Sequence, residues 1–155
     1  MCTDRAQTTL SVPAAPGHVA GDKVLQAVAR SLSGTTRPDG LYRYGGEEFA
    51  LLASVTSDIS AIDIAERIRR AVEGLELPNA GNPPHGRLTI SVGVFTIGAR
   101  ELALGDEVWF GRADEALYRA KAAGRNRTVV WDTPSAGAAD LIAQPAAGGP
   151  IALAA

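Results

Sequence analysis

The segment Arg43-Tyr44-Gly45-Gly46-Glu47-Glu48-Phe49 is distinctive in this chain, because it sets two glycines and two adjacent carboxylates between apolar segments. It is predicted to be a β-hairpin whose turn carries residues 45–48. A Gly-Gly pair permits positive φ and lets an anion or a base approach the main chain closely. Carboxylates at the tip offer hard oxygen ligands to Mg²⁺, which commonly joins protein carboxylates to substrate phosphates. Taken alone, the letters also fit a solvated turn with two surface charges.

Two amphipathic helices are predicted, one before and one after this hairpin. The first runs from about Asp22 to Ser33, and Asp22 lies in its first turn, where a carboxylate suits the helix dipole. The second follows the capping residues 57–60 and carries apolar residues at helical spacing up to Leu75. Its charged residues are predicted to lie mostly on the solvent side: Arg67, Arg69, Arg70 and Glu73.

Strands and a third helix are predicted from the remaining patterns. Residues 88–94 alternate apolar and small polar side chains, which predicts a strand with one buried face. Residues 106–123 form the third helix, with Gly124 as its C-cap, and residues 128–131 form a short strand. Residues 8–12 can form a further short strand, and residues 96–105 are too irregular to assign.

The chain of 155 residues is long enough for one domain with a real core. We expect an atypical N-terminal segment over residues 1–16, the domain itself over residues 17–131, and a disordered Ala/Gly/Pro-rich tail over residues 132–155. Helices alternate with strands around the hairpin. The predicted fold class is therefore α/β (α+β), a mixed sheet flanked by helices.

Composition argues against several classes of function. The net charge is −2 with both signs interspersed, so neither a nucleic-acid-binding stripe nor a membrane-binding polybasic run is present. Cys2 is the only cysteine, which excludes an intrachain disulfide and fits a reducing compartment. No apolar run approaches the length of a signal-peptide core or a membrane helix. These features predict a cytoplasmic protein.

Four motifs in a fixed order resemble those of one family. Gly45-Gly46-Glu47-Glu48-Phe49 is similar to the signature of the GGDEF/GGEEF diguanylate cyclases, which join two GTP molecules into cyclic di-GMP. Three further stretches complete the resemblance, namely residues 17–22, 88–94 and 113–127. The likeness covers residues 17 to about 131. It implies the palm-like fold of nucleotide cyclases, with the hairpin in the central sheet.

The resemblance implies a site made from separate parts of the chain. Glu47 would bind Mg²⁺, or Mn²⁺, and help to activate the attacking 3′-hydroxyl, while Glu48 would be a secondary ligand or a ribose contact. Gly45 and Gly46 would leave room for the nucleotide, and Asp22 would recognise the guanine edge. One domain presents one GTP, so catalysis would take place between the two subunits of a homodimer.

Lys121 and Arg125 match the phosphate-binding pair of the family. Their spacing of four places them on one side of a helix end, where both could reach a triphosphate. Without the resemblance, they would be a cationic helix C-terminus that complements the dipole.

The N-terminal part departs from the family pattern. Counted back from Gly17, the first metal aspartate would fall at Arg5 and the guanine-binding asparagine at Pro13. Asp4 is one residue away, and a one-residue shift turns a strand side chain to the opposite face. The alternative hypothesis is therefore a catalytically impaired domain that binds GTP, cyclic di-GMP or a protein partner.

The inhibitory site of the family is also degenerate. Asp39 matches the aspartate of its Arg-x-x-Asp motif, but Thr36 stands at the arginine position. Weak or absent product binding is predicted there.

Overall fold

Strands and helices alternate along the chain in the computed structural model, which describes residues 4–12, 18–35, 40–55, 58–82, 85–132 and 151–154. The strands are β1 (Asp4–Ser11), β2 (Gly40–Gly45), β3 (Glu48–Val55), β4 (Ser91–Ile97), β5 (Thr128–Val130) and β6 (Ile151–Ala154). The helices are α1 (His18–Thr35), α2 (Asp58–Glu73) and α3 (Asp106–Ala122), with a 3₁₀ helix over Glu101–Leu104.

The described strands form one mixed sheet in the order β2-β3-β1-β6-β4-β5. Strands β2 and β3 are the predicted hairpin, and β1 runs antiparallel to β3. Strand β4 pairs antiparallel with β1 and parallel with β5. The predicted hairpin and the α/β class are both confirmed.

The side chains of β3 and β4 alternate between the two faces of the sheet, as a strand period of two requires. Phe49, Leu51 and Val92 join a cluster with α1 and α2 on one face. Phe95, Ile97 and the half-buried Leu52 pack with Ala113 of α3 on the other. The sheet therefore separates α1 and α2 from α3.

Strand β4 differs from the expected strand with one buried face, since all of its residues are buried. Clusters with α2 on one side and with α3 on the other account for this burial. Gly93 lies directly against the backbone of Ala113 and Leu117. The small residue at this position of β4 therefore reflects the small space between the strand and α3.

Helix α1 begins at His18, four residues before the predicted start. Asp22 consequently lies beyond the first turn, and its expected role beside the helix dipole is wrong. Residues 96–105, which the sequence pattern leaves unassigned, contain the last residues of β4 and the 3₁₀ helix.

The two ends of the chain also differ from expectation where they are described. Strand β1 is longer than predicted and lies inside the sheet. Residues 151–154 form β6, which bridges to β1 and β4, whereas a disordered tail was expected there. Residues 133–150 lie outside the described part, so the expectation for them stays a prediction.

Candidate functional site

The hairpin tip is a tight turn held by its own side chains. The guanidinium of Arg43 donates to the carbonyl oxygen of Gly46 from Nε at 3.0 Å and from Nη2 at 2.6 Å. Neither Gly45 nor Gly46 has positive φ. A Cβ added to either glycine would have no neighbour within 4 Å. The glycines therefore keep the surface of the tip open, rather than supplying a left-handed backbone.

Glu48 faces α3 because of its position in β3. Glu48 and Leu52 are four residues apart in the strand, so their side chains point to the same face. The side chain of Leu52 packs in the cluster on the α3 side of the sheet. Its Oε1 lies 3.3 Å from Nζ of Lys121, the residue before the last of α3. Both side chains are about one-third to two-fifths exposed. The hairpin and the cationic end of the helix, which are 73 residues apart, thus meet at one place.

A second contact joins the hairpin to α3. The rings of Tyr44 and Phe110 stack with their centroids 5.4 Å apart and their planes inclined by 18°. Offset aromatic pairs of this kind add stabilisation beyond the area they bury. Helix α3 is consequently tied to the tip through both an aromatic and an ionic contact.

Arg125 is not on a helical face with Lys121, and that part of the spacing argument is wrong. Helix α3 ends at Ala122 with Ala123 as its C-cap, one residue earlier than predicted. Arg125 follows in a turn with φ +60°, where its N–H donates to the carbonyl of Ala120 at 3.1 Å. Its side chain is exposed. A turn, not the helix, sets its direction.

Asp22 is exposed on α1, which packs on the face of the sheet opposite α3. In the described residues it makes no ion pair with Lys121 or the hairpin. Its guanine role stays a prediction. Asp39 and Pro13 lie outside the described residues.

Strand β1 runs beside the hairpin, but in a register that separates Asp4 from the tip. Ser11 pairs with Glu48, and the N–H of Val12 donates to the carbonyl of Glu47 at 3.0 Å. Asp4 and Arg5 pair with Val55 and Ser54 at the other end of β3. The backbone of Asp4 therefore lies at the end of β3 that is away from the hairpin tip.

The oxygen donors at the tip fit a magnesium ion that is bound partly by substrate phosphates. Within the described ranges, no three His, Cys, Asp or Glu side chains gather into a metal site. Glu47 and Glu48 are nevertheless consecutive carboxylate residues at the tip, and they follow two glycines with open space around them. Mg²⁺ is often bound by one or two carboxylates, with water and substrate phosphates completing the octahedron.

A polar network that the sequence pattern does not predict joins α2 to the turn after α3 and to β5. Arg69, expected on the solvent side, has only 13% of its side chain exposed and pairs with Glu66 at 3.2 Å and Glu73 at 2.9 Å. Asn126 accepts from Nη1 of Arg69 at 2.7 Å and donates to Glu73 Oε1 at 3.0 Å. Thr128 donates to Glu66 at 2.6 Å. The only available signal was the Glu-x-x-Arg-x-x-x-Glu spacing on one helix.

Both carboxylates of this network are stabilised in their charged form. The hydrogen bond donated by Asn126 is the largest influence on Glu73, and with Arg69 it holds the pKa below its ordinary value of 4.5. Burial acts to raise the pKa of Glu66, but hydrogen bonds from Arg69 and Thr128 and the charges of Arg69 and Arg70 together lower it.

These shifts predict how stability depends on pH. A carboxylate whose pKa is lower in the folded chain stabilises it fully above the unfolded value, and this contribution is lost as pH falls through the folded pKa. We expect the free energy of unfolding to fall below about pH 4.5. Urea denaturation at a series of pH values should show a shallower fall for Glu73→Gln. Asp63→Asn, a change at an exposed carboxylate beyond the first turn of α2, should keep the wild-type slope. Equal slopes for wild type and Glu73→Gln would contradict the prediction.

None of the described helices combines the length and apolarity that a membrane span requires.

Known proteins are similar to this chain in sequence and in fold. The sequence model of the family described as "Diguanylate cyclase, GGDEF domain" matches residues 12–127. The match covers well over half of the chain, so the chain belongs to the GGDEF domain family of diguanylate cyclases. The resemblance inferred from the four motifs is confirmed.

Curated relatives are similar over the same part of the chain. The diguanylate cyclase DgcP of Pseudomonas aeruginosa is 41% identical over 115 residues, which are 74% of this chain and 16% of DgcP. Diguanylate cyclase DgcM of Escherichia coli is 44% identical over 114 residues, 73% of this chain and 26% of DgcM. The chain thus spans between about a sixth and a quarter of the length of these two relatives.

Solved structures support the same fold. The active GGEEF domain of a diguanylate cyclase from Vibrio cholerae has a TM-score of 0.67 and 26% identity over 85% of each chain. The GGDEF domain of DgcB from Caulobacter crescentus, solved in complex with c-di-GMP, has a TM-score of 0.67 and 28% identity, over 82% of this chain and 77% of that one. The predicted palm-like fold is confirmed.

Proposed function

We propose that this chain is a diguanylate cyclase domain that condenses two GTP molecules into cyclic di-GMP and two pyrophosphates. The observation that carries the proposal is the contact between Lys121 Nζ and Glu48 Oε1 at 3.3 Å. It brings a carboxylate-bearing tip and a cationic helix end to one place, which a reaction between phosphates and a hydroxyl needs. Membership of the family supports the choice of GTP as substrate.

Lys121 and Arg125 would bind the triphosphate. An ammonium acts on phosphate as a compact charge, while a guanidinium can form paired hydrogen bonds to its oxygens. The arriving phosphates would compete with Glu48 for Lys121. The ion pair would then open, leaving Glu48 available to a metal ion or to the ribose.

Glu47 and Glu48 would hold Mg²⁺, or Mn²⁺ in its place. When bound, the ion neutralises phosphate charge and lowers the pKa of coordinated oxygens. Glu47, beside the open surface above Gly45 and Gly46, would accept the proton of the attacking 3′-hydroxyl. The 3′-oxygen would then form a bond to the α-phosphorus of the second GTP, and pyrophosphate would leave.

Asp22 would accept hydrogen bonds from the N1 and N2 hydrogens of guanine, a pattern that adenine does not offer. Its exposed position on α1 leaves the carboxylate available to a ligand. Each domain would present one GTP, so two domains must face each other for the reaction. GTP is a cytoplasmic metabolite, and we accordingly propose a cytoplasmic location.

The proposal is tested by incubating the purified chain with GTP and Mg²⁺ and separating the nucleotides by liquid chromatography. We expect cyclic di-GMP and pyrophosphate in a ratio of one to two, with no product from ATP. The rate per subunit should rise with protein concentration, because two domains are needed for one product. Absence of cyclic di-GMP with either Mg²⁺ or Mn²⁺ at high protein concentration would overturn the proposal.

A further inference from the structure

The turn that follows α3 has an unusual backbone. Gly124, Arg125 and Asn126 have φ values of +109°, +60° and +47° in succession. Residues with a side chain rarely adopt positive φ, and asparagine is among the few that tolerate it. Such a conformation persists only where the surrounding contacts determine it.

The side chain of Asn126 provides such contacts. Its Oδ1 accepts a hydrogen bond from Nη1 of Arg69 at 2.7 Å, and its Nδ2 donates to Oε1 of Glu73 at 3.0 Å. The same nitrogen of Arg69 also donates to Oε2 of Glu73 at 2.9 Å, which closes the arrangement. A carboxamide can donate and accept at once, whereas an aspartate of the same shape cannot donate when ionised.

Helix α2 is a rigid support for these two partners. Its neighbouring residues Ile68 and Val72 are fully buried in the core shared with α1 and the sheet. Arg69 is held further by Glu66, which accepts a hydrogen bond from Thr128 of β5. The partners of Asn126 are therefore anchored to the core through α2 and β5.

The turn determines where the side chain of Arg125 begins, and its backbone hydrogen bonds join it to the end of α3 that carries Lys121. The backbone N–H of Arg125 donates to Ala120 O, and the N–H of Gly124 lies 3.4 Å from Lys121 O, so the turn and the last helical residues are joined. On the other side, Arg127 O accepts from the N–H of Val92 in β4 at 2.9 Å. A shift at Asn126 would move Arg125 directly and the end of α3 with it.

We propose that Asn126 is a positioning residue for the triphosphate: held between Arg69 and Glu73, it fixes the left-handed turn that aims Arg125, and with it Lys121, at the phosphates bound beside the hairpin tip. This inference rests on the proposed function, since it assigns the same two cations to GTP. Asn126 itself does not touch the substrate. It acts through the turn, and a small misplacement of charged groups is costly to phosphate binding.

The test uses Asn126→Gly, because glycine adopts positive φ freely and the change removes the side-chain contacts without straining the turn. We expect the KM for GTP to rise about tenfold while kcat changes less, as loss of binding alone predicts. Amide hydrogen exchange in residues 121–127 should become faster. Calorimetry with inorganic triphosphate should show weaker binding by a similar factor.

Arg70→Ala is the matched control. Arg70 pairs with the same Glu66 at 3.6 Å, but its side chain is 73% exposed and it makes no contact with Asn126 among the described residues. Its replacement should leave the KM, the exchange rates and triphosphate binding unchanged. Asn126→Asp, which places a negative charge against Glu73, should weaken binding at least as much as the glycine variant does.

The outcomes separate this inference from the proposed function. Wild-type exchange rates in Asn126→Gly would overturn the inference, and so would faster exchange with an unchanged KM and unchanged triphosphate affinity. If the wild-type chain makes no cyclic di-GMP, the proposed function fails. Exchange and triphosphate binding, which do not require turnover, would then still decide whether Asn126 positions the cations.

Discussion

Glu47→Gln is expected to lower kcat for cyclic di-GMP formation by about 10²- to 10⁴-fold, the range that a general base typically contributes. The change removes the charge and keeps the size of the side chain. Glu47 lies in the turn of the hairpin and is only half-buried, so its loss should leave folding intact. Steady-state kinetics and thermal unfolding of the same preparation measure both quantities.

Glu76→Gln is the control for this prediction. It makes the same chemical change at a glutamate whose side chain is 76% exposed and lies 3.6 Å from Arg87. This pair is in a part of the fold away from the hairpin tip. We expect wild-type kinetics for this variant. If Glu47→Gln retained turnover within a few-fold of wild type, Glu47 could not be the base or a principal metal ligand.

Gly93→Ala should lower the free energy of unfolding by about 3 kcal/mol or more, at the upper end of what overpacking a core costs. The added Cβ would lie 2.8 Å from Leu117 Cα, and closer still to Ala113 O and Leu117 N. These are main-chain atoms, so no flexible side chain can move aside. Since small domains have only about 5–15 kcal/mol of stability, this loss is a large fraction of the total, and the urea midpoint should fall markedly.

Gly111→Ala is the control for this prediction, because it adds the same methyl group in α3, the helix that Gly93 contacts. Nothing lies within 4 Å of the Cβ added at Gly111, which is exposed in α3. Alanine there should stabilise the helix by about 0.5–1 kcal/mol. Urea denaturation followed by circular dichroism compares the two variants. A Gly93→Ala midpoint equal to that of wild type would show that β4 and α3 are not in direct backbone contact.

The elements that depend on residues close together in sequence were predictable. The hairpin turn follows from its glycines, and α3 follows from a helical apolar pattern that ends before Gly124. Errors arose where neighbours distant in sequence decide the outcome. Arg69 was expected in solvent because a helical wheel shows only its own helix, whereas Asn126, 57 residues later, covers it.

The same limit applies to the candidate site. Similarity of motifs named Glu47, Glu48, Lys121 and Arg125, but their spacing could not give the backbone conformation of Arg125 beyond the end of the helix. The structure ends α3 at Ala122 and gives Arg125 a left-handed backbone. The strand propensity of residues 8–12 was likewise visible, while the register that sets Ser11 rather than Asp4 against Glu48 was not.

The β-hairpin with its glutamates at the turn, the helical periodicities and the family could be read from the chain, because these depend on neighbouring residues and on their order. Three contacts emerge only in the folded chain: Lys121 with Glu48, Asn126 with both Arg69 and Glu73, and Gly93 with α3. Each of these contacts depends on how the sheet faces its helices. That arrangement is set by burial of apolar surface over the whole chain, which no local pattern records.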